Sequence, residues 1–145
     1  MFEVRRATSE EIGTCQAIRH EVFVLGQGVP EALEVDGLDA ECIHFLAWQR
    51  REPIGTARLR FTENGEAKAE RVAVRPGSQG RGVGTALMAA LEAEAARRGH
   101  TKVVLTAQVQ VIPFYETLGY VVEGPVFIEA AIRHRKMQKM LPGAI

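Results

Sequence analysis

The sequence lacks the features that mark membrane proteins and nucleic-acid-binding proteins. No stretch approaches the roughly 18 unbroken apolar residues of a membrane span, and the first residues contain no apolar core of signal-peptide length. Lysine and arginine number 18, as do aspartate and glutamate, so the formal net charge is zero. A general nucleic-acid binder would carry an excess of positive charge. We therefore expect a cytoplasmic protein with no membrane partner and no nucleic-acid partner.

Cysteine pairs and linkers are also missing. Cys15 and Cys42 stand alone, without a CxxC pair or a histidine cluster, which is typical of buried reduced thiols and predicts no metal site. No repeat, low-complexity tract or Pro/Ser-rich segment suggests a boundary. The chain of 145 residues is therefore predicted to be one domain, 1–145.

Short periodic segments alternate with turn signals along the chain. Apolar patterning predicts strands near 2–8, 43–48, 54–61, 67–74, 102–107, 120–123 and 126–136, and helices near 9–22, 83–98 and 113–119. The strands between 43 and 74 should form an antiparallel meander, with a tight hairpin at Asn64-Gly65. Strand 67–74, helix 83–98 and strand 102–107 form a βαβ unit with parallel strands. The sum is an α+β domain with one mixed sheet.

The stretch "QGRGVGTA" at 79–86 places three alternating glycines before a predicted helix. A dinucleotide loop, GxGxxG, fails in both registers, because Thr85 or Leu87 occupies the third glycine position. A Walker loop needs Gly-Lys-Ser/Thr, which the sequence does not contain. What remains is a loop whose N–H groups converge on an anion at a helix N-terminus, or a loop that only makes a tight turn.

"RVAVRPGSQGRGVGTALM" resembles the acetyl-CoA-binding motif of the GNAT N-acetyltransferase superfamily, Q/R-x-x-G-x-G/A, matched by Gln79, Gly82 and Gly84. "AQVQVIPFYETLGY" resembles the strand and helix that follow in that superfamily, with Tyr115 at the usual tyrosine. The similarity extends over nearly the whole chain to the ElaA-like branch, through "RHEVFVLGQGVP", "ECIHFLAW", "KAERVAV" and "FIEAAIRHRKM".

Three departures from the branch pattern concern the substrate side. Gly26 stands where the branch commonly has an acid, and Thr106 stands where it usually has asparagine. Residues 131–134 read Ala-Ile-Arg-His in place of Gly-Ile-Pro-His.

The resemblance implies a single GNAT-like domain with a mixed, mostly antiparallel sheet of six to seven strands and helices on both faces. The central parallel strands, ending at Val74 and Ala107, should splay apart to admit acetyl-CoA as cosubstrate, with no metal. The residues implied in binding it are Val72, Ala73, Val74, Gln79, Gly80, Arg81, Gly82, Val83, Gly84, Thr85, Gln108 and Phe114.

Two residues are candidates for proton transfer. Tyr115 matches the superfamily's acid, and a phenol pKa near ~10 lies close to that of a departing thiol. Its alternative is a core aromatic role. Glu70 is predicted to share a strand face with Val72 and Val74, because side chains alternate with period two, and would be the base. Its alternative is a surface ion pair.

Other candidates would contact the acceptor. His44 and His134 could each be a base or a substrate ligand, or simply hydrogen-bonded strand histidines. Five carboxylates and no basic residue lie between 31 and 41, and Glu34 and Asp36 among them could attract a cationic amine. A solvated acidic loop is the alternative. Whether Glu70, a histidine or a water chain is the base stays open.

The predicted function is transfer of acetyl from acetyl-CoA directly to a primary amine of a small molecule or peptide, without a covalent enzyme intermediate. The alternative is a non-catalytic acyl-CoA-binding or sensing domain. A nucleic-acid module using the basic run at 133–139 is a third hypothesis, for which exposed strand charge is the simpler account. The resemblance also allows a homodimer.

Overall fold

Seven strands form one mixed sheet in the computed structural model, which describes residues 1–143. The strands are β1 (Glu3–Arg6), β2 (Ile43–Gln49), β3 (Glu52–Phe61), β4 (Ala67–Val74), β5 (Lys102–Gln108), β6 (Val121–Glu129) and β7 (Ile132–Met140). Their order across the sheet is β1-β2-β3-β4-β5-β7-β6. Within the described chain β4 and β5 form the one parallel pair, which confirms the predicted βαβ unit.

Helices cover both faces of the sheet. They are α1 (Ile12–Arg19), which continues as a π-helical segment (His20–Leu25), α2 (Glu31–Glu34), α3 (Val83–Arg97) and α4 (Ile112–Thr117). α1 packs on one face through Cys15 and Ile18, and α3 packs on the other through Leu87 and Leu91. Among the helices of residues 1–143, none is long and apolar enough to cross a membrane.

The predicted meander of β2, β3 and β4 is confirmed, and its alternation builds the two cores. Phe45 and Ala47 face the α3 core, whereas Leu46 between them faces the α1 core. Gly65 has φ 80° at the end of the β3–β4 turn, where its N–H donates to the Thr62 carbonyl at 2.9 Å. The result is a sheet buried on both faces near its centre.

The predicted division of the last two strands is wrong. Gly124-Pro125 resembles a turn in the sequence, but the structure has it inside β6, where the pairing with β7 shifts register between Glu123 and Phe127. The chain turns instead at Ala130 and Ala131, which adopt φ 51° and 61°. Non-glycine residues seldom adopt positive φ, so two alanines at this point do not signal a turn.

β4 and β5 separate after a short contact. Their parallel register pairs only Ala67 with Val103 and Lys68 with Val104, although the strands run on to Val74 and Gln108. The carboxyl-terminal halves of two central strands are therefore open toward each other. This is the predicted splay, and it points toward the loop at the start of α3.

Candidate functional site

The loop before α3 leaves backbone donors free at the N-terminus of a 15-residue helix. Gly80 has φ 78°, and Gly82, the N-cap, has φ 83°. The first helical bond is donated by the Ala86 N–H to the Gly82 oxygen at 3.0 Å. The N–H groups just before Ala86 therefore have no acceptor within the helix, which is the arrangement that binds anions.

Two polar side chains of this loop hold it against the protein. Gln79 Nε2 donates to the Val74 carbonyl at 3.2 Å, which ties the loop to the end of β4. Arg81 donates to the Gly77 carbonyl and to Gln49 Oε1, both at 3.3 Å. The predicted phosphate donors thus lie at the loop, where they also shape it.

The third glycine of the loop has a packing reason. A Cβ on Gly84 would lie 3.1 Å from Phe114 Cζ, closer than side chains normally approach. Glycine at this position lets the α4 aromatic ring lie directly against the first turn of α3. By contrast, a Cβ at Gly80 or Gly82 would meet no atom within 4 Å, so the outer side of the loop is open.

α4 places Tyr115 beside this region. Its ring contacts Phe114 and Tyr120 edge to face, at centroid separations of 5.0 and 5.8 Å, and the residue is 8% exposed. Burial raises the pKa of Tyr115 to about 12. Within residues 1–143 its hydroxyl forms no hydrogen bond. The phenol therefore stays protonated at neutral pH and keeps its proton available.

The prediction that Glu70 shares a face with Val72 and Val74 is wrong. Arg71 adopts φ 54°, and the β3–β4 pairing jumps from Ala73 opposite Thr56 to Glu70 opposite Arg58. This bulge places one extra residue in β4 and reverses the alternation, because period two holds only along an unbroken strand. Glu70 therefore points to the α1 face of the sheet.

Glu70 lies in a dense set of ion pairs. Its Oε1 accepts from Arg58 at 2.6 Å and from Arg60 at 2.9 Å, and Lys68 Nζ lies 3.5 Å from Oε2. Burial alone would raise the pKa of Glu70, but the hydrogen bonds from Arg60 and the charge of Arg58 lower it to about 2. A carboxylate this weakly basic is a poor acceptor for an ammonium proton, so the geometry favours the ion-pair alternative.

The acidic segment is fastened by a buried arginine of α1. Arg19 is fully buried and donates from Nε to both carboxylate oxygens of Glu34 at 3.2 Å. Its two terminal nitrogens donate to Asp39 at 3.1 and 2.9 Å. Arg71 Nε adds a bond to Glu34 Oε2 at 3.2 Å. Glu34 is thus buried, and Arg19 and Arg71 compensate its negative charge.

A second buried arginine, Arg58, completes the network. It donates to Asp36 Oδ2 at 2.7 Å and to Asp39 Oδ1 at 2.9 Å, and Arg71 approaches Asp36 at 3.3 Å. The hydrogen bond from Arg58 lowers the pKa of Asp36 to about 2. Because arginines already compensate the charges of Glu34 and Asp36, the geometry favours a structural role for these carboxylates over attraction of a cationic amine.

These arginines are the functional neighbours that the sequence interpretation missed. Arg58 and Arg60 alternate with the apolar residues Ala57, Leu59 and Phe61, and the five carboxylates of 31–41 have no basic residue among them. Arginines on a buried strand and a segment of unpaired carboxylates together indicate ion pairs between them, because a buried charge requires a partner of opposite sign.

The two candidate histidines differ in how they are held. His44 Nε2 bonds to the Asp39 carbonyl at 2.9 Å, and its Nδ1 is buried with no partner in the described chain. Burial lowers the pKa of His44. His134 Nδ1 lies 2.8 Å from the Ile132 carbonyl, which can only accept, so Nδ1 is the donor and Nε2 is the acceptor of the neutral ring. Within residues 1–143, no group of three or more His, Cys, Asp or Glu could hold a metal ion.

Gln108 closes the site at the end of β5. Its Nε2 donates to Gln27 Oε1 at 2.8 Å, which links β5 to the segment between the π-helical turn and α2. Gln108 is also paired with His134 across β5 and β7. The open ends of β4 and β5 are thus bordered by the α3 loop, by α4 and by the segment that carries Gln27.

Comparison with known proteins agrees with this architecture. The uncharacterized N-acetyltransferase YjcF of Bacillus subtilis (strain 168) is 37% identical over 140 residues, which cover 96% of this chain and 99% of that protein. A solved structure from Lactobacillus plantarum, described as an N-acetyltransferase, has a TM-score of 0.89 at 27% identity, covering 97% of this chain and 98% of that chain.

The structure of Escherichia coli ElaA has a TM-score of 0.82 at 24% identity, covering 96% of this chain and 99% of that one. At that identity the likeness concerns the fold, and membership of the ElaA-like branch stays a prediction. The family model described as "Acetyltransferase (GNAT) domain" matches residues 4–141. With that match and the YjcF relationship, the chain belongs to the GNAT family of N-acetyltransferases.

Proposed function

We propose that this protein transfers the acetyl group of acetyl-CoA directly to a primary amine, without a covalent enzyme intermediate. The observation that carries the proposal is the alignment of two openings, the splay between β4 and β5 and the donor-rich N-terminus of α3. The splay would hold the extended pantetheine chain, and the N-terminus of α3 would hold the diphosphate. Family membership supports the reaction class.

The residues present fit acetyl-CoA. Backbone N–H groups from Gly80 to Thr85 would hold the diphosphate, where the helix dipole contributes roughly 0.3 to 1 kcal/mol. The open outer side of Gly80 and Gly82 leaves room for it. The strand edge at Val72, Ala73 and Val74 would bond the pantetheine, with Gln108 and Phe114 bordering it. Gln79, Arg81, Val83 and Gly84 shape the loop.

Tyr115 is the proposed proton donor. Acetyl-CoA supplies a thioester that an amine can attack and a sulfur that leaves as thiolate. The pKa of Tyr115, about 12, keeps its hydroxyl protonated in the working range. Donation from so weak an acid to a thiolate of ordinary pKa is uphill, so burial of the thiolate at the same place must raise the thiolate pKa as well.

His134 is the proposed base, in place of Glu70. An amine with a lysine-like pKa of ~10.4 costs roughly 4 to 5 kcal/mol to deprotonate at neutral pH. A side chain nearby that takes up the proton would therefore assist the reaction. In the neutral His134 ring, Nδ1 donates to the Ile132 carbonyl and Nε2 is the nitrogen that can accept a proton. His44 is less suited, since its Nδ1 is buried and its Nε2 is engaged by Asp39.

A non-catalytic acyl-CoA-binding domain remains the second candidate. The observation in its favour is that Glu70, the predicted base, forms ion pairs with Arg58 and Arg60 that compensate its charge. Such a domain would bind acetyl-CoA and release no thiol with any amine.

The test combines calorimetry with thiol release. Acetyl-CoA is titrated into the purified chain, and a panel of primary amines is then screened for released CoA thiol. An enzyme binds acetyl-CoA and turns over at least one amine. Binding without turnover across the panel would favour the sensing domain, and absence of binding would overturn both candidates.

A further inference from the structure

The side chain of Tyr120 joins Tyr115 to α3. Tyr120 immediately precedes β6 and is 3% exposed, and its ring meets the Tyr115 ring edge to face at a centroid separation of 5.8 Å. The hydroxyl of Tyr120 donates to Glu92 Oε2 at 2.7 Å, and Glu92 belongs to α3. One buried aromatic ring and one hydrogen bond therefore connect the proposed proton donor with this helix.

Glu92 is itself held in place. Its second oxygen, Oε1, accepts from Lys139 Nζ of β7 at 2.8 Å, and its side chain is 13% exposed. Lys139 Nζ also lies 5.7 Å from the centroid of the Tyr120 ring. Burial and the carboxylate of Glu92 raise the pKa of Tyr120, so the hydroxyl of Tyr120 keeps the proton that it donates. Both partners of this hydrogen bond are thus fixed by the surrounding structure.

A second contact ties the Tyr115 ring to the same helix. Phe114 meets that ring edge to face at a centroid separation of 5.0 Å, and Phe114 lies directly against Gly84. Gly84 belongs to the first turn of α3, next to the loop that would hold the diphosphate. Tyr115 therefore contacts two aromatic rings, one fixed by the start of α3 and one fixed by Glu92 further along it.

The position of the Tyr115 hydroxyl depends on these rings. Within residues 1–143 that hydroxyl forms no hydrogen bond, and the backbone is held separately, because the Tyr120 N–H donates to the Tyr115 carbonyl at 3.1 Å. A proton donor must lie within hydrogen-bond reach of its acceptor, and a misplacement of about 1 Å can cost roughly a hundredfold in rate. The packing around the Tyr115 ring therefore matters for proton transfer.

We propose that Tyr120, anchored by Glu92, is a positioning residue that holds the Tyr115 hydroxyl in register with the acetyl-CoA site at the start of α3. The hydroxyl of Tyr120 is committed to Glu92, so its action on the reaction passes through the Tyr115 ring. The effect on catalysis rests on the proposed function with Tyr115 as proton donor, whereas the positioning itself can be tested without turnover.

Variants of Tyr120 and Glu92 test the anchor through thiol release. Tyr120→Phe keeps the ring and removes the hydroxyl, and Glu92→Leu removes the acceptor. Each should lower kcat by roughly tenfold, as a displacement of less than 1 Å would, and leave the acetyl-CoA Kd unchanged. Glu92→Gln keeps an oxygen that accepts from Tyr120 and should restore kcat to within about threefold of wild type.

Glu94 of the same helix provides the matched control. Its side chain is 12% exposed and forms ion pairs with Arg97 and Arg98, so Glu94→Leu also removes a partly buried carboxylate from α3. Glu94→Leu should leave kcat unchanged. A wild-type kcat in both Tyr120→Phe and Glu92→Leu, or an equal loss in Glu94→Leu, would overturn the proposal.

A double-mutant cycle separates positioning from general destabilisation. If Tyr120 acts through Tyr115, adding Tyr120→Phe to the Tyr115→Phe variant should change kcat by less than about twofold. Additive losses from the two substitutions would contradict the proposal. If Tyr115→Phe alone left kcat unchanged, Tyr115 would not be the acid, and the inference would fail while the acetyltransferase activity stands.

Ring mobility tests the positioning without turnover. Tyrosine labelled with carbon-13 in the ring reports on Tyr115 and Tyr120 alone, because the chain has two tyrosines. The flip rate of the Tyr115 ring, measured by NMR relaxation, should rise by roughly tenfold in Glu92→Leu, since a close-packed ring turns only when its neighbours move aside. It should keep the wild-type value in Glu94→Leu. An unchanged flip rate in Glu92→Leu would contradict the proposal, even in a protein that released no thiol with any amine.

Discussion

Replacing Glu70 by glutamine separates an ion-pair role from a catalytic one. Glutamine keeps the size of the side chain and one oxygen acceptor but removes the charge that Arg58 and Arg60 share. The Glu70 side chain is 9% exposed, so its contacts are little screened by water. We expect a loss of stability as the main effect.

The magnitude follows from the lowered pKa of Glu70. A shift from 4.5 to about 2 corresponds to roughly 3 kcal/mol of favourable interaction, an upper limit for the charge. Arg58 keeps Asp36 and Asp39 as partners, so we expect a loss of about 2 kcal/mol at pH 7. For a chain of this length that lowers Tm by roughly 4 to 8 °C.

The stabilisation by the Glu70 charge should depend on pH. Because the folded pKa of Glu70 lies below the unfolded value of 4.5, its contribution is complete above about pH 4.5 and is lost as the pH falls toward 2. The free energies of unfolding of wild type and Glu70→Gln should therefore converge at acid pH. Urea denaturation between pH 7 and pH 2.5 measures this, with exposed Glu63→Gln as the control that leaves stability unchanged.

The opposite pattern would exclude a purely ion-pairing role for Glu70. If Glu70→Gln were as stable as wild type at pH 7 but lost the acid limb of the kcat/KM profile together with activity, Glu70 would be the base after all.

Three further substitutions, two of them with a matched control variant, test the site. Gly82→Ala forces a Cβ into φ 83° and should cost roughly 1–2 kcal/mol of stability and weaken acetyl-CoA binding in calorimetry. Gly99→Ala, strained alike at φ 89° beyond the other end of α3, should lower stability only; equal affinity losses would contradict the loop assignment. Tyr115→Phe should reduce kcat by roughly ten- to ten-thousandfold with the acetyl-CoA Kd kept, and an unchanged kcat would remove Tyr115 as the acid. His134→Gln should reduce kcat/KM by roughly a hundredfold or more, whereas His44→Gln should mainly lower stability; similar kcat/KM losses in both would contradict the choice of His134.

Local patterning was enough to predict most of the sheet. Alternating apolar residues and the Asn64-Gly65 turn defined the meander, and the helical stripe from Val83 to Ala95 defined the crossover. These features depend on period and turn chemistry, which a sequence carries locally. The loop before α3 was predicted for the same reason.

The orientation of Glu70 and the fate of the acidic segment could not be predicted locally. The bulge at Arg71 has no glycine to signal positive φ, and one extra residue reverses every face beyond it. Glu34 meets Arg19 and Arg71 across 15 and 37 residues of sequence. Ion pairs of that range are set by the fold, so spacing alone could not identify the arginines that compensate the carboxylates.

We propose that acetyl-CoA lies between β4 and β5 with its diphosphate on the N-terminus of α3. Amide chemical-shift mapping during titration with acetyl-CoA can locate the bound molecule. We expect saturable shifts concentrated in the 80–85 loop, at Val72 to Val74 and at Gln108. An absence of saturable shifts, or shifts confined to the α1 face of the sheet, would contradict it.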